Sequence, residues 1–235
     1  MSRVDIEKQV TLSRIQSPSV TLVLQILEEL WHQGTDAAKV AYDEPLDGLI
    51  ETVLSQNTND RNRDLAFGRL KERCGDSWET AAGLPQAALA EIIKPAGICN
   101  NKAATILRVL QAVKDRFGCY SLKSLKSGSP EQAWEFMTNI PGVGPMTAAC
   151  VLAFDLGFPA FPVDTHVARI SRRMGWAKET ESPAEIQTRM EEIVPDAMKC
   201  AGHLNVIQHG KNICRARNPL CGECPLRGLC PSSSC

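Results

Sequence analysis

Four cysteines crowd the C-terminal end as Cys214-x6-Cys221-x2-Cys224-x5-Cys230, with Pro219, Gly222, Pro225 and Gly228 among them. Thiolates this close in sequence cannot form a long-range staple, so they point to metal. Paired C-x2-C knuckles would favour structural zinc. A single x2 spacing flanked by longer loops is also compatible with a four-cysteine iron–sulfur cluster, and spacing alone leaves the metal open. A second candidate is Ile140-Pro141-Gly142-Val143-Gly144-Pro145, set between helical stretches. Two glycines one residue apart permit positive φ and close backbone approach, and Pro145 suits the first turn of a following helix. Such a loop aims bare N–H groups outward at the positive end of a helix dipole, which suits a phosphate. A tight helix-helix turn without a ligand carries the same signature. The third candidate is Asp164 in Val163-Asp164-Thr165-His166, just ahead of a helical pattern. As a cap it satisfies free N–H groups. The same placement stabilises its charged form, which could then face a developing cation.

These residues need elements to hold them, and the periodicity is helical nearly throughout. Val20, Val23, Leu24, Leu27 and Trp31 recur at helical offsets, as do Ile106, Val109, Leu110, Val113 and Phe117. Ser129-Pro-Glu-Gln132 and Ser182-Pro-Ala-Glu185 read as capping boxes, and Gly118 and Gly175 as helix stops. Long alternating β runs are absent, so the expected fold is all-α. With 235 residues, 43% hydrophobic and 23% charged, the composition is globular and excludes disordered, collagen-like and coiled-coil chains. No apolar run approaches the ~20 residues of a membrane helix. Acids near the N-terminus, in Met1-Ser-Arg-Val-Asp-Ile-Glu-Lys8, argue against a signal peptide, so a reducing cytosol is expected. Without a Gly/Ser-rich linker, two lobes sharing an interface fit better than two separate beads.

Together the motifs resemble those of the endonuclease III family of helix-hairpin-helix (HhH-GPD) DNA glycosylases. The resemblance runs from about Leu46 to Cys230. It rests on Leu54-Ser-Gln-Asn-Thr-Asn-Asp60, Gly97-Ile-Cys-Asn-Asn-Lys102, Pro141-Gly-Val-Gly144, Val163-Asp-Thr-His166 and the cysteine signature. It implies a base-excision repair enzyme that flips a damaged or mismatched base out of double-stranded DNA, or meets an abasic site. It also implies a 4Fe-4S cluster on Cys214, Cys221, Cys224 and Cys230, a six-helix lobe over 48–158, and a second lobe from 1–47 plus 159–235. Asp164 would stabilise the sugar cation electrostatically. Gly142 and Gly144 would grip a phosphate, Gln56, Asn57 and Ile98 would fill the gap or touch the opposite strand, and Lys102, Thr165 and His166 would complete the DNA contacts. A monomer in a bacterial cytosol or nucleoid, with no membrane partner, follows from the same resemblance. The stretch Phe161–Trp176 is also locally similar to plant 5-methylcytosine glycosylases.

One position departs from the pattern. Bifunctional members carry a lysine two residues after the second hairpin glycine, whose amine forms a Schiff base with the sugar; here that residue is Met146. A thioether cannot do this. An engineered Lys→Met change, a natural monofunctional glycosylase using Asp164 and water, and DNA binding without chemistry are all compatible with it. Glu51, in Glu51-Thr-Val-Leu54-Ser-Gln56, resembles the acid of mismatch-specific relatives and could be a buried proton donor with a raised pKa, or an ordinary solvent-facing helix residue. A sequence pI near 6.4 is low for a nucleic-acid binder, so positive charge must be local. Lys102, Arg108, Lys114, Arg116, Lys123 and Lys126, with Arg169, Arg172 and Arg173, are the expected stripe.

Overall fold

The computed structural model describes residues 17–32, 41–75 and 77–233, and among them there are helices and turns but no strand. The N-terminal segment read above for a signal sequence lies outside these residues. No helix among them is long and apolar enough to cross a membrane. The chain divides into two compact units, one from Met1–Gly34 and Val163–Cys235 and the other Thr35–Pro162.

The discontinuous unit opens with α1 (Val20–Trp31), capped by Ser19 and burying Val20, Val23, Leu24 and Leu27 as the periodicity predicts. The chain then enters the middle unit: α2 (Pro45–Ser55), α3 (Asp60–Cys74), α4 (Trp78–Ala82), α5 (Gln86–Ile92), α6 (Cys99–Phe117), α7 (Pro130–Thr138) and α8 (Pro145–Phe154). It returns to the first unit through α9 (Thr165–Arg173), α10 (Pro183–Ile193) and α11 (Lys199–Asn212).

Helix α8 buries Thr147, Ala148, Ala149, Val151, Leu152 and Ala153, so it is apolar on every side and forms the centre of its unit. Its alanines let α2 pack closely, with Leu46, Leu49, Ile50, Val53 and Leu54 fully buried. Each such Leu or Ile contributes about 1.5–3 kcal/mol. The middle unit reaches upstream of 48, because Ala41 N–H donates to Phe154 O at 2.7 Å and the Glu44 carboxylate accepts from Ser121 Oγ and Leu122 N–H. In the other unit, α1 packs on α11, where Asn205 Nδ2 donates to Glu28 Oε2 at 2.6 Å. Trp176 Nε1 donates to Pro18 O, a further tie between the N-terminal segment and the C-terminal third.

Of the two expected capping boxes, Ser182 forms the complete reciprocal pair with Glu185. At Ser129 the hydroxyl caps Gln132 N–H, and no return bond from Gln132 accompanies it. Gly118 ends α6 at φ 71, a conformation that a β-carbon would strain.

Candidate functional site

The hairpin joins α7 to α8. Gly142 has φ 102, and a β-carbon there would meet Thr105 Oγ1 of α6 at 2.4 Å, so glycine is required for both conformation and space. Arg108 reinforces the turn by donating to Pro141 O at 2.8 Å. Gly144 differs from the expected pair of special glycines: its φ is −91 and nothing lies within 4 Å of its β-carbon position. It is the N-cap of α8, and without a side chain it leaves the helix's first N–H groups open. Both glycines are exposed.

Asp164 is the N-cap of α9, its Oδ1 accepting from Val167 N–H at 2.8 Å. The half-buried carboxylate thus sits at the positive end of a helix whose far end carries Arg172 and Arg173. Thr165 is exposed. His166 turns its Nδ1 toward Arg169 Nη2 at 3.1 Å and packs its ring on Gly210 of α11, where any β-carbon would meet it at 2.7 Å.

Gln56 and Asn57 follow α2. Gln56 Nε2 donates to Thr147 Oγ1 of α8 at 3.3 Å, and exposed Asn57 has φ 53. Ile98 precedes α6 at φ 45 and is 54% exposed, an unusual placement for a β-branched residue. Lys102 corrects an expectation. It is only 3% exposed, and its ammonium donates to Leu54 O at 2.8 Å and Ala96 O at 2.7 Å. Burial lowers its pKa. It fastens the end of α2 to the turn before Ile98, and so holds the two exposed loops instead of meeting DNA as a surface cation. Three other cations of the expected basic stripe have partners without being buried as Lys102 is. Lys123 pairs with Asp43, Lys126 donates to Asp43 O, and Arg172 donates to Glu181 O.

Met146 is half-buried in the first turn of α8, with Sδ 3.6 Å from Cys150 Sγ. It opens on a cavity of about 200 Å³ lined also by Gly48, Glu51, Arg63, Cys150 and Asp155, with no lysine in its wall. Glu51, read above as either a buried acid or a solvent-facing residue, is a partly buried, paired carboxylate. Glu51 Oε1 accepts from Arg63 Nε at 3.2 Å, and the Tyr42 hydroxyl is hydrogen-bonded to the same carboxylate. Burial and the Glu51 charge push the Tyr42 phenol upward. The unpaired acid is Asp155, which is 3% exposed and whose Oδ1 has no hydrogen-bond partner. Burial first, then the Glu51 charge, raises its pKa to about 7. In the sequence Asp155 stands only as the acid that ends the apolar stretch Ala148–Phe154. Its one signal was an acid directly after a helix that has no polar face.

In the other unit, Cys214, Cys221, Cys224 and Cys230 all line one cavity of about 140 Å³, together with Arg173 and His209. Among the described residues no three His, Cys, Asp or Glu side chains stand close enough to hold one metal ion. Four thiols lining one shared space supply the four-cysteine ligand set of an iron–sulfur cluster. The surroundings supply donors to sulfur: Arg173 Nη1 reaches Cys214 Sγ at 3.2 Å. Arg169 Nη2 donates to Cys214 O and Gly210 O, tying the start of this loop to α9 and α11. Burial raises the Cys224 and Cys230 thiols, so these two would need a cluster's positive charge to deprotonate.

Comparison with known proteins agrees with both arrangements. Residues 50–196 match the HhH-GPD superfamily base excision DNA repair protein model, and residues 214–230 match the iron–sulfur binding domain of endonuclease III. Endonuclease III of Thermotoga maritima is 34% identical, covering 85% of this chain and 84% of its own. The Synechocystis enzyme of that name is 33% identical, covering 91% and 92%. A solved trapped endonuclease III–DNA covalent intermediate aligns at a TM-score of 0.75 and 28% identity, over 92% of this chain and 97% of that one. The cofactor is a 4Fe-4S cluster. With a hairpin at Gly142, an Asp-capped helix at 164 and a family match over most of its length, the chain belongs to the HhH-GPD superfamily of base excision DNA repair proteins, in its endonuclease III branch.

Proposed function

We propose that this endonuclease III-type DNA glycosylase removes a damaged or mismatched base from duplex DNA without the lyase step. The carrying observation is the wall of the cavity at Met146, which contains no lysine and therefore no amine for a Schiff base. Lys102 does not replace it, since its ammonium is buried against two carbonyls. Asp164, held at a helix N-terminus by Val167 N–H, is suited to stabilising positive charge on the sugar while water completes the substitution. The Gly142–Gly144 amides are suited to a DNA phosphate, and the loops at Gln56–Asn57 and Ile98 to the space left by an extruded nucleotide. Cys214, Cys221, Cys224 and Cys230 are the proposed cluster ligands.

The test is Met146→Lys. Met and Lys are both unbranched, so the new amine should follow the thioether's path into the cavity. The parent protein should release free base and leave abasic strands intact. The variant should gain borohydride-trappable complexes and strand cleavage. Strong trapping by the parent, or no free base from any lesion duplex, would overturn the proposal.

A further inference from the structure

The cavity beside Met146 contains a group that the proposed chemistry does not use. Asp155 caps the C-terminal end of α8, where the helix dipole opposes a negative charge. Its carboxylate lies against Gly48 of α2, where a β-carbon would meet Oδ2 at 2.1 Å, so Gly48 makes the room that this acid occupies. The neighbouring carboxylates Glu51 and Asp47 both disfavour its ionisation, and Lys126 is the cation that opposes them. Arg63 does not neutralise it, being paired with Glu51, Asp60 and Asp64. The Tyr42 hydroxyl is likewise engaged with Glu51. A buried polar atom without a partner is rare and costs about 1–3 kcal/mol, so Asp155 Oδ1 calls for an explanation.

We infer that Asp155 is a specificity-determining residue of this cavity, a neutral carboxylic acid that donates a hydrogen bond to an acceptor atom on the extruded base. The inference rests on the glycosylase reading above and adds the group that recognises the base. A neutral acid has one O–H to give, whereas its ionised form only accepts and would repel a carbonyl oxygen or a bare ring nitrogen. Rotation about the broad, two-fold χ2 torsion can bring either oxygen to the opening. The cavity is large enough for several waters at ~30 Å³ each, hence for the edge of a base. With its pKa at about 7, the donor form predominates below neutrality and is lost above it.

The experiment measures affinity for non-cleavable duplexes. Uracil, thymine, 5-hydroxyuracil and adenine nucleotides, each opposite guanine, carry a 2′-fluorine that resists glycosidic cleavage. A tetrahydrofuran abasic duplex reports binding without a base. For at least one base, the excess affinity over the abasic duplex should fall roughly tenfold from pH 6 to pH 8 in the parent protein, following the protonated fraction. In Asp155→Asn, whose amide donates at every pH, the excess should persist and be flat. In Asp155→Ala it should be small at both values. Unchanged abasic-duplex affinity shows that each variant is folded. The inference is overturned if no base-bearing duplex binds better than the abasic one, or if the excess and its pH dependence match in all three proteins. If the excess behaves as expected but unfluorinated duplexes release no base, the glycosylase reading fails while the role of Asp155 stands.

Discussion

Replacing Asp155 by Asn should stabilise the protein increasingly as pH rises. Asp155 has a reference pKa of 3.8 and is raised to about 7 in the fold, chiefly by burial. Below the lower value both folded and unfolded chains hold the proton and the group is neutral in either. Between the two values only the folded state holds it, so raising pH favours unfolding, and above about 7 the full penalty stands. The shift is worth about 4 kcal/mol in total, of which about 2 kcal/mol develops between pH ~5.5 and ~8. Because the side chain is 3% exposed, solvent screening does little to reduce this. Asn keeps the shape against Gly48 and does not titrate. The melting temperature of Asp155→Asn minus that of the parent should therefore grow by ~4–8 °C across that interval for a chain of this size. Paired thermal melts followed by circular dichroism in matched buffers make the comparison, and subtraction cancels the other titrating groups. A difference that stays within ~1 °C, or that shrinks with rising pH, would refute the argument that a buried neutral acid sits there.

Other perturbations separate positioning from chemistry. Asp164→Asn retains a good N-cap for α9, so duplex affinity should stay within about threefold, while base release falls by on the order of 10²-fold or more in single-turnover assays. Parallel loss of both would leave Asp164 as a cap alone. Gly142→Ala forces a β-carbon onto Thr105 at φ 102 and should cost about 1–3 kcal/mol with weakened duplex binding, whereas Gly144→Ala has open space and should leave stability unchanged. Equal melting temperatures for the two variants would contradict this. Lys102→Met leaves Leu54 O and Ala96 O without their donor, which should destabilise by about 2 kcal/mol and raise hydrogen exchange in the loops at 54–57 and 96–98. Exchange unchanged in both loops would show that they are held by something else.

Local signals in the sequence determined the helices, because periodicity, caps and stops act within a few residues. The four-cysteine run, the Pro141–Pro145 hairpin and the Asp164 cap were legible for the same reason. The missing amine at Met146 was legible only through the resemblance to the endonuclease III family, whose bifunctional members carry a lysine at that distance from the second hairpin glycine. Tertiary structure alone decided which charges are available. Lys102 and Asp155 look like ordinary polar residues of amphipathic or helix-terminal stretches, yet one is buried as a clamp and the other as an unpaired acid. Glu51 reads in the sequence as either a buried acid or a solvent-facing helix residue, and only the fold brings Arg63 and Tyr42 to it. Burial and partnership depend on residues far apart in the chain, and they set desolvation and local field, so no window of sequence could assign the protonation states on which the site depends.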